Sequence, residues 1–321
     1  MLSSLPKLAD KAFILGFFLP TLLLSLAVAA LFFDQSFAQA VFKAATQKDE
    51  WDQLALFVLA VWALSILAMM INQIAVQMLE GYRWPLSKLP FLKRRELKRF
   101  EALNQPFQTL NEQWILNPAA FGAKQKKQWE RLRKTLVQAF PADPQFLLPT
   151  RLGNAIRAFE LYSKDVYGAD SIPLWLHLSA VVSKEFQTAL DDARAQFNCA
   201  INICFFAACV SLLAAIRVVA PFDASSLVFI GAAVLAALIS RLAYIFSIHL
   251  AYAWGDLVKA AFDCFLPDLA KKLGYELPKT GHERLSFWTG VSEQSIYWRP
   301  LTPEDWTAAK SSTPKAGPDG E

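Results

Sequence analysis

Two apolar runs lie side by side, Ala200 to Ala220 and Leu227 to Ser247, with only the short stretch Pro221 to Ser226 dividing their cores. Each matches the ~20 residues that a helix rising about 1.5 Å per residue needs to cross a hydrocarbon core of ~30 Å. They predict an apolar hairpin from Cys199 to Tyr252. Two further runs lie near the start, Ala12 to Phe33 behind Lys7 and Lys11, and Leu54 to Ile74. The first has the look of a signal peptide, with Ala38, Gln39 and Ala40 as a small-residue cleavage pattern, but its apolar run is too long for a signal core. It predicts an uncleaved first span, kinked at Pro20 without ending there.

Between the hairpins the pattern changes. Lys93 to Phe107 and Lys124 to Phe140 are rich in helix formers with charge on most faces, and Trp129, Leu132 and Leu136 mark one apolar stripe. Prolines at 85, 90, 106, 118, 141, 144 and 149 predict short pieces. Thr150 predicts an N-cap for a helix through Val166, with Leu152, Ile156, Phe159 and Val166 on one face and Gly168 as its stop. From Ser183 neither proline nor glycine intervenes before the third span, so one long helix should leave the membrane as a stalk. The fourth span should mirror it, with an amphipathic face running up to Pro267. Aromatic residues at Tyr275, Phe287, Trp288, Tyr297, Trp298 and Trp306 predict a C-terminal region packed on the insert, and the Ser, Pro, Gly and Lys content after Thr307 predicts a loose tail.

The expected fold class is all-α, a four-helix transmembrane bundle with a mainly helical cytosolic domain. Its expected divisions are a first hairpin over 1–79, a helical insert and stalk over 80–198, a second hairpin over 199–253, a C-terminal helical region over 254–306 and a tail over 307–321. A 55% hydrophobic content with 19% charged residues agrees with a chain shared between membrane and water. A net charge of +4 is too small to imply nucleic acid, so the placement of charge matters more. Arg83, Lys88, Lys93, Arg94, Arg95, Lys98 and Arg99 follow the second span closely, whereas the link Asp34 to Asp52 and the turn carrying Asp223 are not basic. The positive-inside rule then predicts both termini and the insert in the cytosol.

Candidate chemistry is sparse. Cys199, Cys204, Cys209 and Cys264 lie on apolar or helical stretches and imply no disulfide framework; the first three, spaced by fives, spread around a helix. His177, His249 and His282 lack the i, i+4 partner of a zinc helix. No phosphate-cradling glycine loop or nucleophile elbow occurs, and Asp191 with Asp192 or Asp49 with Glu50 diverge by about 100° on a helix instead of flanking a bond. No cofactor is expected, and no matching pair of interrupted helices suggests a transporter repeat.

Polar residues inside the spans offer one candidate cluster. Asn72, Gln73 and Gln77 close the second span, Asn198 and Asn202 open the third, and Arg241 lies about two thirds along the fourth. Asn72, Gln73, Asn202 and Arg241 either line a polar vestibule near the cytosolic leaflet or knit helices together, with Arg241 reaching the headgroups; the second reading is preferred. Arg83, Lys93, Arg94 and Arg95 are candidate contacts for anionic lipid, at about 1 kcal/mol each near the surface. Trp84 and Phe91 interleave these cations, but Pro85 and Pro90 break a nucleic-acid platform, so lipid and topology are preferred.

The stretch Leu148, Pro149, Thr150, Arg151, Leu152, Gly153 and Asn154, followed by Tyr167, Gly168, Ala169, Asp170 and Trp175, resembles a scattered group of uncharacterised bacterial membrane proteins with a cytosolic helical insert before an apolar hairpin. Asp191, Asp192, Arg194, Asp263, Pro278, Glu283, Arg284 and Trp288 fit the same outline, over roughly residues 145–288, while His177 departs from the basic residue expected there. The resemblance implies a bacterial inner membrane and supplies no activity. Read from its own residues, the stretch makes Arg151, Gly153, Asn154 and Arg157 the candidate ligand- or partner-binding set. Gly153 admits a close backbone or ligand approach, and the two arginines hold an anion or pair with Glu160 and Asp165.

The preferred expectation is a non-enzymatic membrane component, oligomeric or bilayer-perturbing, whose partners are membrane lipids and a second copy or protein on the cytosolic side. The alternative is a channel or small-solute transporter, which requires Asn72, Asn202 and Arg241 to line one cavity. An intramembrane enzyme lacks a nucleophile and base at matching depth.

Overall fold

The computed structural model describes residues 10–32, 51–219 and 226–298, and among these every regular element is a helix. Helix α1 covers residues 11–32, as Lys11–Phe13, a π-helical turn Ile14–Phe18 and Leu19–Phe32. It is followed by α2 (Trp51–Glu80), α3 (Pro90–Leu116), α4 (Ala123–Ala139), α5 (Arg151–Tyr167), α6 (Ser171–Ser179), α7 (Lys184–Val219), α8 (Ser226–Lys272) and α9 (Gly281–Tyr297). Four helices, α1, α2, α7 and α8, are long and apolar enough to cross a membrane. Leu56, Met70 and Leu227 on them are 67%, 70% and 71% exposed, which suits hydrocarbon and not water. The polar link after Phe33, the turn at Pro221 and the tail after Thr307 lie outside the described residues.

The described chain divides into two compact units. The first contains the residues up to Glu96, Leu148–Gly153 and Leu190–Trp254; the second contains Leu97–Leu147, Asn154–Ala189 and the residues from Gly255 onward. Residues 80–96, 148–153 and 190–198 fall in the first unit.

Side-chain hydrogen bonds join the apolar helices of the first unit. Pro20 has no N–H to donate to the Gly16 carbonyl four residues back, and the π-helical turn lies just ahead of it. Asn202, 2% exposed, donates Nδ2 to that carbonyl at 2.8 Å, joining α7 to α1. Asn72 on α2 donates to Asn198 on α7 at 3.1 Å. Ser240 on α8 donates to the Cys204 carbonyl at 2.9 Å, and Ser211 to the Ala233 carbonyl at 2.9 Å, linking the two arms of the second hairpin. These side-chain bonds are the kind that holds helices together where no hydrophobic force acts between them.

In the second unit, α3 and α4 share an aromatic stack, Trp129 lying between Phe107 at 6.3 Å and Trp114 at 5.9 Å between ring centres, with its Nε1 donating to Asn111. Trp129 and Leu136 face inward on α4 as their spacing predicts. Phe287 and Trp288 of α9 are buried, and Ser292 accepts from the Asp170 amide at 2.9 Å.

Several expectations change. Pro106 lies inside α3 and Pro267 inside α8, so neither ends its helix, and the amphipathic continuation of the fourth span runs on to Lys272. A single proline removes one bond that the rest of a long helix outweighs. Tyr297 and Trp298 are 74% and 91% exposed instead of packed, Trp298 taking a left-handed conformation at φ 56° that closes α9.

A candidate functional site in the first unit

The end of α2 and the start of α5 meet at unusually close range. Thr150 caps α5 as its sequence predicts, accepting from the Gly153 amide at 2.9 Å while donating its own hydroxyl to the Glu80 carbonyl at 2.8 Å. The approach is possible because Gly153 carries no side chain: a Cβ there would overlap the Glu80 carbonyl oxygen and stand 3.0 Å from its carbon. Gly81, at φ +92°, turns the chain away from α2 in a conformation that favours glycine. The Leu152 amide donates to the Tyr244 hydroxyl of α8 at 3.4 Å, and Arg151 Nε lies 3.9 Å from the buried carboxylate of Glu96 on α3.

Beside this junction opens a cavity of about 710 Å³. On α7 its lining residues are Cys204, Ala208, Ser211, Leu212 and Ala215, and on α8 Ala237, Ser240, Arg241 and Tyr244, in each case the i, i+3, i+4 spacing of a single helix face. Arg95, Glu96, Thr150 and Arg151 line it as well, as do Leu79, Leu86 and Leu92. Because Ser240 bonds to Cys204 and Ser211 to Ala233, the hairpin register sets Arg241 and Tyr244 at the end from which α7 rises, and Leu212 and Ala215 toward the other end. The result is a groove with cationic and hydroxyl groups at one end and small apolar side chains along its length. Three guanidiniums and one carboxylate are among its lining groups, a formal excess of two positive charges.

The sequence-derived candidates separate on this geometry. Arg151 lines the groove, whereas Gly153 serves the helix junction, Asn154 is fully buried and Arg157 of the second unit pairs with Glu160 at 3.4 Å and lies over the Phe146 ring. The expected pairing of Arg157 with Glu160 is present, while Arg151 lies beside Glu96. Of the membrane polar set, Arg241 lines the groove, Asn72 and Asn202 are engaged between helices, and Gln73 is exposed. Asn72 and Asn202 do not share the groove that Arg241 lines. Of the basic run, Arg95 faces the groove, and Arg83, Lys93 and Arg94 are exposed, with Arg83 donating to Gln77 at 2.6 Å. Glu96, Thr150 and Tyr244 are groove residues that sequence reading did not assign; the i+3 spacing of Arg241 and Tyr244 was the available signal.

In the second unit burial pushes the Glu160 carboxyl up, opposed by Arg157. Tyr162 and Tyr167 both donate to the Asp263 carboxylate, at 2.9 and 2.8 Å, and their phenols are raised by desolvation and by that carboxylate. Comparison with known proteins gave no match: no family model fits the sequence, and no curated protein or solved structure resembles it.

Proposed function

We propose that this chain is a multi-pass protein of a bacterial inner membrane that acts by binding an anionic amphiphile, without catalysing its conversion. The observation that carries this reading is the groove, whose cationic end and apolar length match the two halves of such a molecule. The groups around it support retention and not turnover. Ser211 and Ser240 have hydroxyls bonded to backbone carbonyls, and Glu96 lies beside Arg151. The cations that follow α2, from Arg83 to Arg99, argue that both ends of the chain and the charged insert are cytosolic, where a protein partner or a second copy would have access.

Titration of the detergent-purified full chain with a fluorescent fatty acid tests the binding reading. Saturable binding weakened by Arg241→Ala is expected, and binding that stays linear with probe concentration would overturn it. Sidedness is tested separately in a background without native cysteines. A membrane-impermeant maleimide should label D223C in spheroplasts and reach K127C only after permeabilisation, and the reverse pattern would overturn the orientation.

A further inference from the structure

The groove has a definite length and a definite polarity, and together they narrow the ligand. From Cys204 to Ala215 the lining residues of α7 cover eleven steps of helix, about 16 Å of rise, close to half of a ~30 Å hydrocarbon core. That is the depth of one leaflet. Arg241, Arg95 and Arg151 all line the groove, and the α5 amides of Leu152 and Gly153 are already engaged by Tyr244 and Thr150. The guanidiniums therefore supply the anion recognition, and arginine's planar fork suits phosphate oxygens better than a point charge does. Glu96, 4% exposed and next to Arg151, keeps one arginine oriented and lowers the local charge to a value that a phosphate group balances.

We infer that the occupant is a phosphate-headed anionic lipid of the leaflet on the Arg241 side, with its phosphate among Arg95, Arg151 and Arg241 and one acyl chain lying between α7 and α8 along Ala208, Leu212 and Ala215. This rests on the binding reading above and adds the headgroup chemistry and the seat of the chain. A lipid bound this way differs from the surrounding bilayer lipid because its headgroup is held by three fixed cations.

Native mass spectrometry of the delipidated full chain in mild detergent tests it, with phosphatidate, phosphatidylcholine and water-soluble glycerol phosphate as probes. Phosphatidate should be retained at one molecule per chain and phosphatidylcholine lost at the same detergent concentration. The double variant R151A/R241A should reduce retention at least about tenfold, since each cation near a lipid surface contributes on the order of 1 kcal/mol. R151K/R241K should recover part of it. Ala208→Trp, which fills the groove and keeps all three arginines, should reduce retention as well. Each variant is compared at an unfolding temperature matched to the parent chain. If a variant fails to reach that temperature, the lysine pair and the choice between phosphatidate and phosphatidylcholine in the parent chain still decide. Equal retention of the two phospholipids, or retention unchanged in both R151A/R241A and Ala208→Trp, overturns the inference. Glycerol phosphate binding as tightly as phosphatidate removes the acyl seat but leaves an anion site. Binding of the fatty acid with no binding of phosphatidate overturns the lipid class alone, and failure of both removes the binding reading too.

Discussion

Replacing Gly153 with alanine adds a single methyl group, and the structure fixes the sign of the outcome. In an isolated helix the change is favourable by up to about 1 kcal/mol, because glycine is the poorer helix former. At this position the new Cβ would overlap the Glu80 carbonyl oxygen and stand 3.0 Å from the carbonyl carbon. Both are backbone atoms in the last residue of a long helix, so no rotamer change relieves the overlap. Overpacking of this kind costs about 1–3 kcal/mol, and displacing α5 also stretches the Thr150 hydrogen bond to the same carbonyl, for a net loss of about 1 kcal/mol more. The sum is a destabilisation of about 1–3 kcal/mol after the helix gain is subtracted. Gly231 provides the control: it lies within α8, nothing lies within 4 Å of where its Cβ would stand, and alanine there should be neutral or slightly stabilising. Intrinsic tryptophan fluorescence during heating of the detergent-purified protein reads both. At about 2–4 °C per kcal/mol for a unit of this size, Gly153→Ala should lower the transition by several degrees and Gly231→Ala should not. A transition raised equally by both substitutions would show that the α2–α5 approach does not constrain residue 153.

Three other outcomes follow from particular contacts. Asn202→Leu should destabilise the chain by about 1 kcal/mol, and in a Pro20→Ala background, where the backbone regains a donor for the Gly16 carbonyl, the penalty should shrink; an equal penalty in both backgrounds would refute the link. Glu160 has its folded value raised, so the folded state binds its proton more tightly than the unfolded one; stability should fall as pH rises from the ordinary carboxyl range through that raised value, and Glu160→Gln should flatten this slope in thermal scans run upward from the ordinary carboxyl range. Asp263→Asn removes the carboxylate that accepts from Tyr162 and Tyr167, and ultraviolet difference titration should show two phenols ionising at lower pH than in the parent chain.

The spans, the Thr150 cap and the Gly168 stop were legible because each follows from local chemistry: an apolar length, a side-chain acceptor three residues before an amide, and a residue free to adopt φ +77°. Gly153 was legible as a place of close approach, but not the partner, since Glu80 lies 73 positions earlier and only the fold brings them together. The roles of Asn202 and Arg241 were open for the same reason. Both are polar residues in apolar helices, and which one bonds a carbonyl and which one lines a groove depends on the register between α1, α7 and α8. The prolines misled in the opposite direction. Pro106 and Pro267 carry strong local signals, yet each removes only one bond from a helix whose neighbouring turns remain intact.

The bond between Asn202 and the Gly16 carbonyl also has a consequence for assembly. The acceptor belongs to α1 and its donor comes 186 residues later in the chain, so α1 is synthesised with that oxygen still waiting for its side-chain donor. Its completion falls to α7, which makes the order of synthesis part of how the apolar unit closes.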